Sequence, residues 1–123
     1  MLNLLLVGGG GFLGSVLRYL AGLLTQSLTG STALPYGTLA VNVLGCLIIG
    51  FLGGLAQHRQ LFSPELRLFV FTGMLGGFTT FSTFGYDTLN ILRGIDLLLA
   101  LLNILLHISL GAVSLGYWLS RWC

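Results

Sequence analysis

Lysine is absent from this chain of 123 residues, and its five arginines are accompanied by only three acidic residues. Charged residues make up 7% of the sequence, against the roughly 25% that gives a soluble domain its hydrated surface. That shortage excludes a water-soluble globular protein. It also excludes a nucleic-acid binder, because no basic run exists to neutralise a row of phosphates. Cysteine is scarce too: Cys46 lies inside an apolar run and Cys123 is the last residue of the sequence, a pattern with neither a disulfide framework nor metal-ligand spacing. Catalytic groups are equally thin. His58 and His107 fall in different segments without a paired carboxylate, and no Ser/His/Asp or Cys/His constellation is present, so an enzyme is not expected. The middle of every apolar segment lacks an acid, with Asp87 only near the end of the third, which leaves a proton-coupled exchanger without its central carboxylate. The opening MLNLLLVGGGGFLG lacks the basic region and polar cleavage flank of a secretory signal and is read as a retained first span.

Apolar surface is what the chain has in abundance, with 55% hydrophobic residues and a mean hydropathy of +0.99. Four apolar segments, each near the roughly 20 residues that cross a bilayer core, predict an all-α integral membrane protein of four transmembrane helices in a single domain. Their expected spans are about 4–24, 37–56, 65–92 and 97–119. The stretch QSLTGSTALP reads as an uncharged loop, and Ser63-Pro64 as the N-cap and first position of the third helix, with Glu65 at its positive end. That third segment is too long: about 28 residues at 1.5 Å each reach about 42 Å, against a core of about 30 Å. A break near 76–83, where Gly76-Gly77 meets a Thr/Ser/Phe run, absorbs the surplus. Arg59, Arg67 and Arg121 fall on one side of the membrane and Arg93 on the other, a bias weak enough to permit both orientations. Gly10/Gly14, Gly50/Gly54 and Gly73/Gly77 carry the spacing of close helix packing, and GGGG has no strand before it, so a dinucleotide cradle is not expected.

The stretch FTGMLGGFTTFSTFGY, from Phe71 to Tyr86, holds hydroxyls where a lipid-facing helix would carry leucine and valine. A backbone break at membrane depth is tolerated only where its freed groups face protein or a water-filled cavity, and half-helix ends there suit ions of either sign. The alternative is that Thr and Ser bond back to their own helix carbonyls. Asn42, alone in the second span, suits either interhelical hydrogen bonding or a pore. Arg18, deep in the first span, either snorkels to the interface or faces an anion vestibule. Asn103 and His107 stand four apart on one helical face, as a polar track or as simple interhelical bonding.

GGGGFLGSVLRY in the first span, GTLAVNVLGCLIIG in the second and GMLGGFTTFSTF in the third together resemble the Fluc/CrcB family of bacterial and archaeal fluoride channels, in order and over nearly the whole chain. The resemblance implies an antiparallel dual-topology homodimer whose subunits jointly line two narrow fluoride pores. It implies that Asn42 lines the pore, that Phe81 and Phe84 turn ring edges to the anion path, and that a structural sodium ion (Na+) sits at the dimer interface on backbone carbonyls of Gly76 and Thr79. Fluoride is strongly hydrated, so the Asn42 amide and the hydroxyls of Thr80, Ser82 and Thr83 would replace its water, while aromatic edges carry the positive part of the ring quadrupole. Family members commonly carry Tyr or Asn in the fourth span and Ser or Asn four residues later. Asn103 followed by His107 departs from this, and a pore-facing His107 would tie conduction to its protonation. The implied function is passive fluoride export across the inner or plasma membrane of a prokaryote, with membrane lipid, fluoride and a second copy as partners. A small dual-topology multidrug-type transporter and a structural membrane subunit are the alternatives from other classes; the missing central carboxylate argues against the first.

Overall fold

The computed structural model describes residues 1–30 and 33–122; Ser31 and Thr32 of the first loop, and Cys123, lie outside the described residues. In chain order it contains α1 (Leu2–Thr29), α2 (Tyr36–His58), α3 (Pro64–Arg67), a π-helical segment (Leu68–Leu75), α4 (Gly76–Phe78), α5 (Phe81–Arg93) and α6 (Leu97–Trp122). Four helical stretches are long and apolar enough to cross a membrane: α1, α2, the composite Pro64–Arg93 and Leu97–Trp118 of α6.

Local chemistry explains the ends. The first helix runs to Thr29 rather than to about residue 24, because Thr25, Ser27 and Thr29 return their hydroxyls to carbonyls of Ala21, Leu24 and Thr25 at 2.8, 2.8 and 2.9 Å. Gly30, at φ 60°, then ends it in the left-handed conformation that glycine adopts without strain. Ser63 caps α3 by accepting from the Leu66 amide at 3.2 Å, with Pro64 and Glu65 in the first turn. Arg67 reaches back to the Ala56 carbonyl at 2.8 Å and ties α3 to the end of α2. Asp96 opens α6 by accepting from the Leu99 amide at 2.9 Å.

Glycines bring α1 against the third span. A Cβ on Gly10 would collide with the Phe69 carbonyl, and one on Gly14 with the Met74 carbonyl. From the other side, a Cβ on Gly73 would stand 2.9 Å from the Cα of Gly10, and one on Gly77 only 2.6 Å from the Gly11 carbonyl oxygen. Two of the four-residue glycine pairs therefore form one seam, where bare backbones touch. Gly50, from the other pair, seats Trp118 of α6, whose ring lies 4.8 Å from that of Phe51. The apolar core is small, with Val41, Ala56, Leu75 and Ala100 buried, while Leu4, Leu5, Phe12, Leu98, Ile108 and many other large apolar side chains are exposed. Such an outside suits hydrocarbon, not water.

Candidate functional site

The third span breaks at Thr79 and Thr80, and α2 holds the break. Asn42 and Gly45 stand three apart on one face of α2. Gly45 lets the broken backbone come close, since a Cβ there would collide with the Thr79 methyl. Asn42 then makes a paired contact with a single residue: its amide donates to the Thr80 carbonyl at 3.1 Å, and its oxygen accepts from the Thr80 amide at 2.8 Å. Asn42 is thus not the free donor that a pore-lining reading supposes. One N–H and the oxygen are committed to backbone, and a single N–H remains.

This clamp changes the carbonyls upstream. In a continuous helix the Thr80 amide would donate to Gly76 and the Thr83 amide to Thr79. Here Thr80 donates to Asn42, and Thr83 donates to the Thr80 hydroxyl, the N-cap of α5, at 3.2 Å. The carbonyls of Gly76 and Thr79 are released by these two diversions. Both are hard oxygen donors, the ligand type that alkali and alkaline-earth ions take. Among the described residues no group of three or more His, Cys, Asp or Glu gathers to hold a metal.

The hydroxyls form a local cluster. Thr80 donates to Thr83 at 2.9 Å and stands 3.3 Å from the Ser82 hydroxyl. Because the hydrogen of Thr80 goes to Thr83, Ser82 donates to Thr80, and the hydrogen of Thr83 is the one the cluster does not consume. Thr80 and Thr83 also line a cavity of about 600 Å³ between α1, α2 and α5, together with Arg18, Thr38, Asp87 and Asn90. Asp87 accepts from the Thr38 hydroxyl at 2.7 Å. Thr38, Asp87 and Asn90 are additions that sequence reading passed over. The signals existed: Thr38 stands one turn before Asn42, and Asp87 is the one acid that lies inside a span and away from its first turn.

A second group lies on the other side of α5. Phe81 is 84% exposed, its ring 5.7 Å from Phe84 at 53°, and Phe84 in turn packs 4.4 Å from the His107 ring of α6. Thr88 donates to the Phe84 carbonyl at 2.8 Å and accepts from the Asn103 amide at 2.9 Å. Asn103, 1% exposed, therefore makes the interhelical bond that was one of its two expected roles. His107 places Nδ1 3.0 Å from the Asn103 backbone carbonyl. The helical period accounts for the division: residues 80, 83 and 87 lie on one stripe of α5, and 81, 84 and 88 on the next. Arg18, Thr80 and Thr83 share the cavity, and Asn42 joins them through its paired bond to Thr80; Phe81, Phe84, Asn103 and His107 form a separate row. Ser82 meets the first group at the Thr80 hydroxyl.

The family model described as CrcB-like protein, Camphor Resistance (CrcB), matches residues 5–118 of this chain. A protein named fluoride-specific ion channel FluC from Rhizobium meliloti (strain 1021) is 46% identical over 123 residues, covering 98% of this chain and 98% of the relative. A protein of the same name from Elusimicrobium minutum (strain Pei191) is 49% identical over 111 residues, covering 89% of this chain and 84% of the relative. A third, from Chlorobium phaeobacteroides (strain BS1), is 45% identical over 114 residues, covering 93% and 88%.

Proposed function

This chain belongs to the CrcB family, and from that membership we propose that it is a fluoride-selective ion channel through which fluoride leaves the cytoplasm passively. The family match over residues 5–118 carries this reading, and the break in the third span is the structural feature that suits it. The protein is a channel and not an enzyme, and neither a multidrug-type transporter nor a structural subunit is favoured. Fluoride enters a cell as neutral HF, dissociates in the less acidic cytosol and needs an anion path out. No energy source is required.

In this reading the cavity between α1, α2 and α5 is the vestibule, with Arg18 attracting the anion. The free hydrogen of Thr83 and the remaining N–H of Asn42 donate to fluoride as its water is shed. Asp87 is held to Thr38, which engages part of its charge. The row of Phe81, Phe84 and His107, with Asn103 beside it, forms the narrow part of the path, where aromatic edges face the ion. The exposure of Phe81 suits a second subunit closing that path, and the weak arginine asymmetry suits an antiparallel, dual-topology homodimer in the cell membrane of a prokaryote. The carbonyls of Gly76 and Thr79, released by the Asn42 clamp, are the groups that would hold Na+ between the two copies. Bound there, the ion supplies a fixed positive charge at the dimer centre.

Efflux from proteoliposomes tests the reading. Fluoride leaves many times faster than chloride without ATP or a proton gradient, and sodium withdrawn during solubilisation abolishes the flux. Equal rates for the two halides contradict selectivity, and undiminished flux without sodium contradicts the ion site.

A further inference from the structure

The end of the molecule that carries the 59–63 loop has a groove that the fluoride path leaves unused. It runs between the last turns of α2 and the start of the third span, in two adjoining compartments of about 420 and 620 Å³ that share Ala56, Gln57, Pro64 and Arg67. The outer compartment adds Gln60 and Phe62, and the Phe62 ring meets that of Phe71 edge-on at 6.1 Å. The inner one descends along Leu68 and Phe71 to Thr72. A polar mouth at the membrane surface thus leads onto an apolar wall, the order in which a lipid molecule carries its own polar and apolar parts.

Two local features build the groove. In an α-helix, at 3.6 residues per turn, Arg67 and Thr72 would lie about 140° apart around the axis. The π-helical segment Leu68–Leu75 changes that: its i→i+5 spacing sets them about one turn apart, and both line the inner compartment. Gly53 leaves the opposite wall open, since nothing stands within 4 Å of a Cβ built there. The polar groups are set for a ligand. Arg67 spends one nitrogen on the Ala56 carbonyl at 2.8 Å, which fixes its guanidinium at the mouth and leaves most of its N–H donors unspent. The Thr72 hydroxyl, unlike those of Thr79 and Thr88, returns to no helix carbonyl, and the side-chain amides of Gln57 and Gln60 are likewise without a partner among the described residues. Glu65, the acid at this end among the described residues, lines neither compartment, while Arg59 in the adjoining loop adds a second positive charge. The mouth is cationic and uncompensated.

We propose that this groove binds one anionic phospholipid, with its phosphate on Arg67, Gln57 and Gln60, a glycerol ester carbonyl on the Thr72 hydroxyl, and an acyl chain along Leu68 and Phe71. Charge and depth together select this occupant. A zwitterionic headgroup brings a cation of its own to an already cationic mouth, and a free phosphate leaves the Thr72 hydroxyl and the apolar wall unfilled. Bound there, the lipid bridges the end of α2 and the start of the third span. The site stands apart from the ion path and does not depend on which ion passes.

Native mass spectrometry tests this on purified protein equilibrated in detergent with phosphatidylglycerol or with phosphatidylcholine of the same acyl chains. Wild type is expected to retain phosphatidylglycerol about tenfold better than phosphatidylcholine, the size of effect that a charge-assisted hydrogen bond gives, and R67Q to lose that preference. Because Arg67 also ties α3 to α2, a second variant acts from elsewhere. G53L fills the groove from an open position and is expected to cut phosphatidylglycerol retention about tenfold, whereas G116L, on α6 with nothing within 4 Å of its Cβ position, is expected to keep it. Each variant is first shown to elute as wild type on size exclusion. Excess inorganic phosphate is expected to leave the lipid in place. Equal retention of the two lipids by wild type, an unchanged preference in R67Q, undiminished retention in G53L, a loss in G116L equal to that in G53L, or displacement by inorganic phosphate each overturns the proposal.

Discussion

Asn42 and the phenylalanines show what single residues contribute, and how differently they can be read. The sequence marks Asn42 as a polar group at membrane depth, but its partner Thr80 is 38 positions away, and nothing in a residue type specifies such a pairing. The same holds for Thr88 and Asn103. Residue types were legible; partners were not, because they depend on which helices meet. Phe81 and Phe84 separate packing from function most sharply. Phe81 is largely exposed and Phe84 half-buried, so Phe→Ile at either position costs modest packing stability, about 1 to 2 kcal/mol. If their ring edges serve the anion, the same change removes a favourable contact at a dehydrated step. Fluoride efflux per dimer is expected to fall by about thirty- to a hundredfold, equivalent to about 2 to 3 kcal/mol of barrier, with size-exclusion elution unchanged. Wild-type flux in well-assembled variants returns both residues to a packing role.

At the scale of elements, the third span carries most of the information. Its excess length over a bilayer announced a break, and the Gly76-Gly77 and hydroxyl run located it near Thr79 and Thr80. The π-helical segment Leu68–Leu75 was not legible. It lies along α1 at the glycine seam, where a carbonyl of one backbone touches a glycine of the other, and sequence periodicity describes a helix without its neighbour. The end of α1 lies beyond the expected span, since hydroxyl back-bonding extends the helix into residues that composition assigns to a loop. The seam gives a direct prediction. In Gly14→Ala the new methyl meets backbone of the third span, which cannot rotate away, so a loss of about 1 to 3 kcal/mol is expected. Gly8→Ala meets nothing within 4 Å and serves as the control. Thermal unfolding in detergent should show a lowered midpoint for the first and not the second. Equal midpoints would mean that α1 and the third span do not touch through these glycines.

For the whole molecule, the four spans and their inverted exterior were legible from hydropathy alone, because hydrocarbon demands apolar surface wherever a helix meets it. The division of α5 between a hydroxyl stripe facing a cavity and an aromatic row facing α6 required the three-dimensional arrangement. Neither stripe encloses a path within one subunit, since Phe81 lies open, and this is why the account places the pore between two antiparallel copies. Planar-bilayer recording tests the central claim most directly, with fluoride on one side and chloride at equal concentration on the other. The account predicts a reversal potential displaced about 100 mV or more in the direction of fluoride selectivity, because 100 mV acts on one charge with about 2.3 kcal/mol. In equal fluoride it predicts a current–voltage relation symmetric about zero, as a twofold axis in the membrane plane requires. A reversal potential near zero in the first condition, with current flowing, would contradict fluoride selectivity and with it the assignment of this pore.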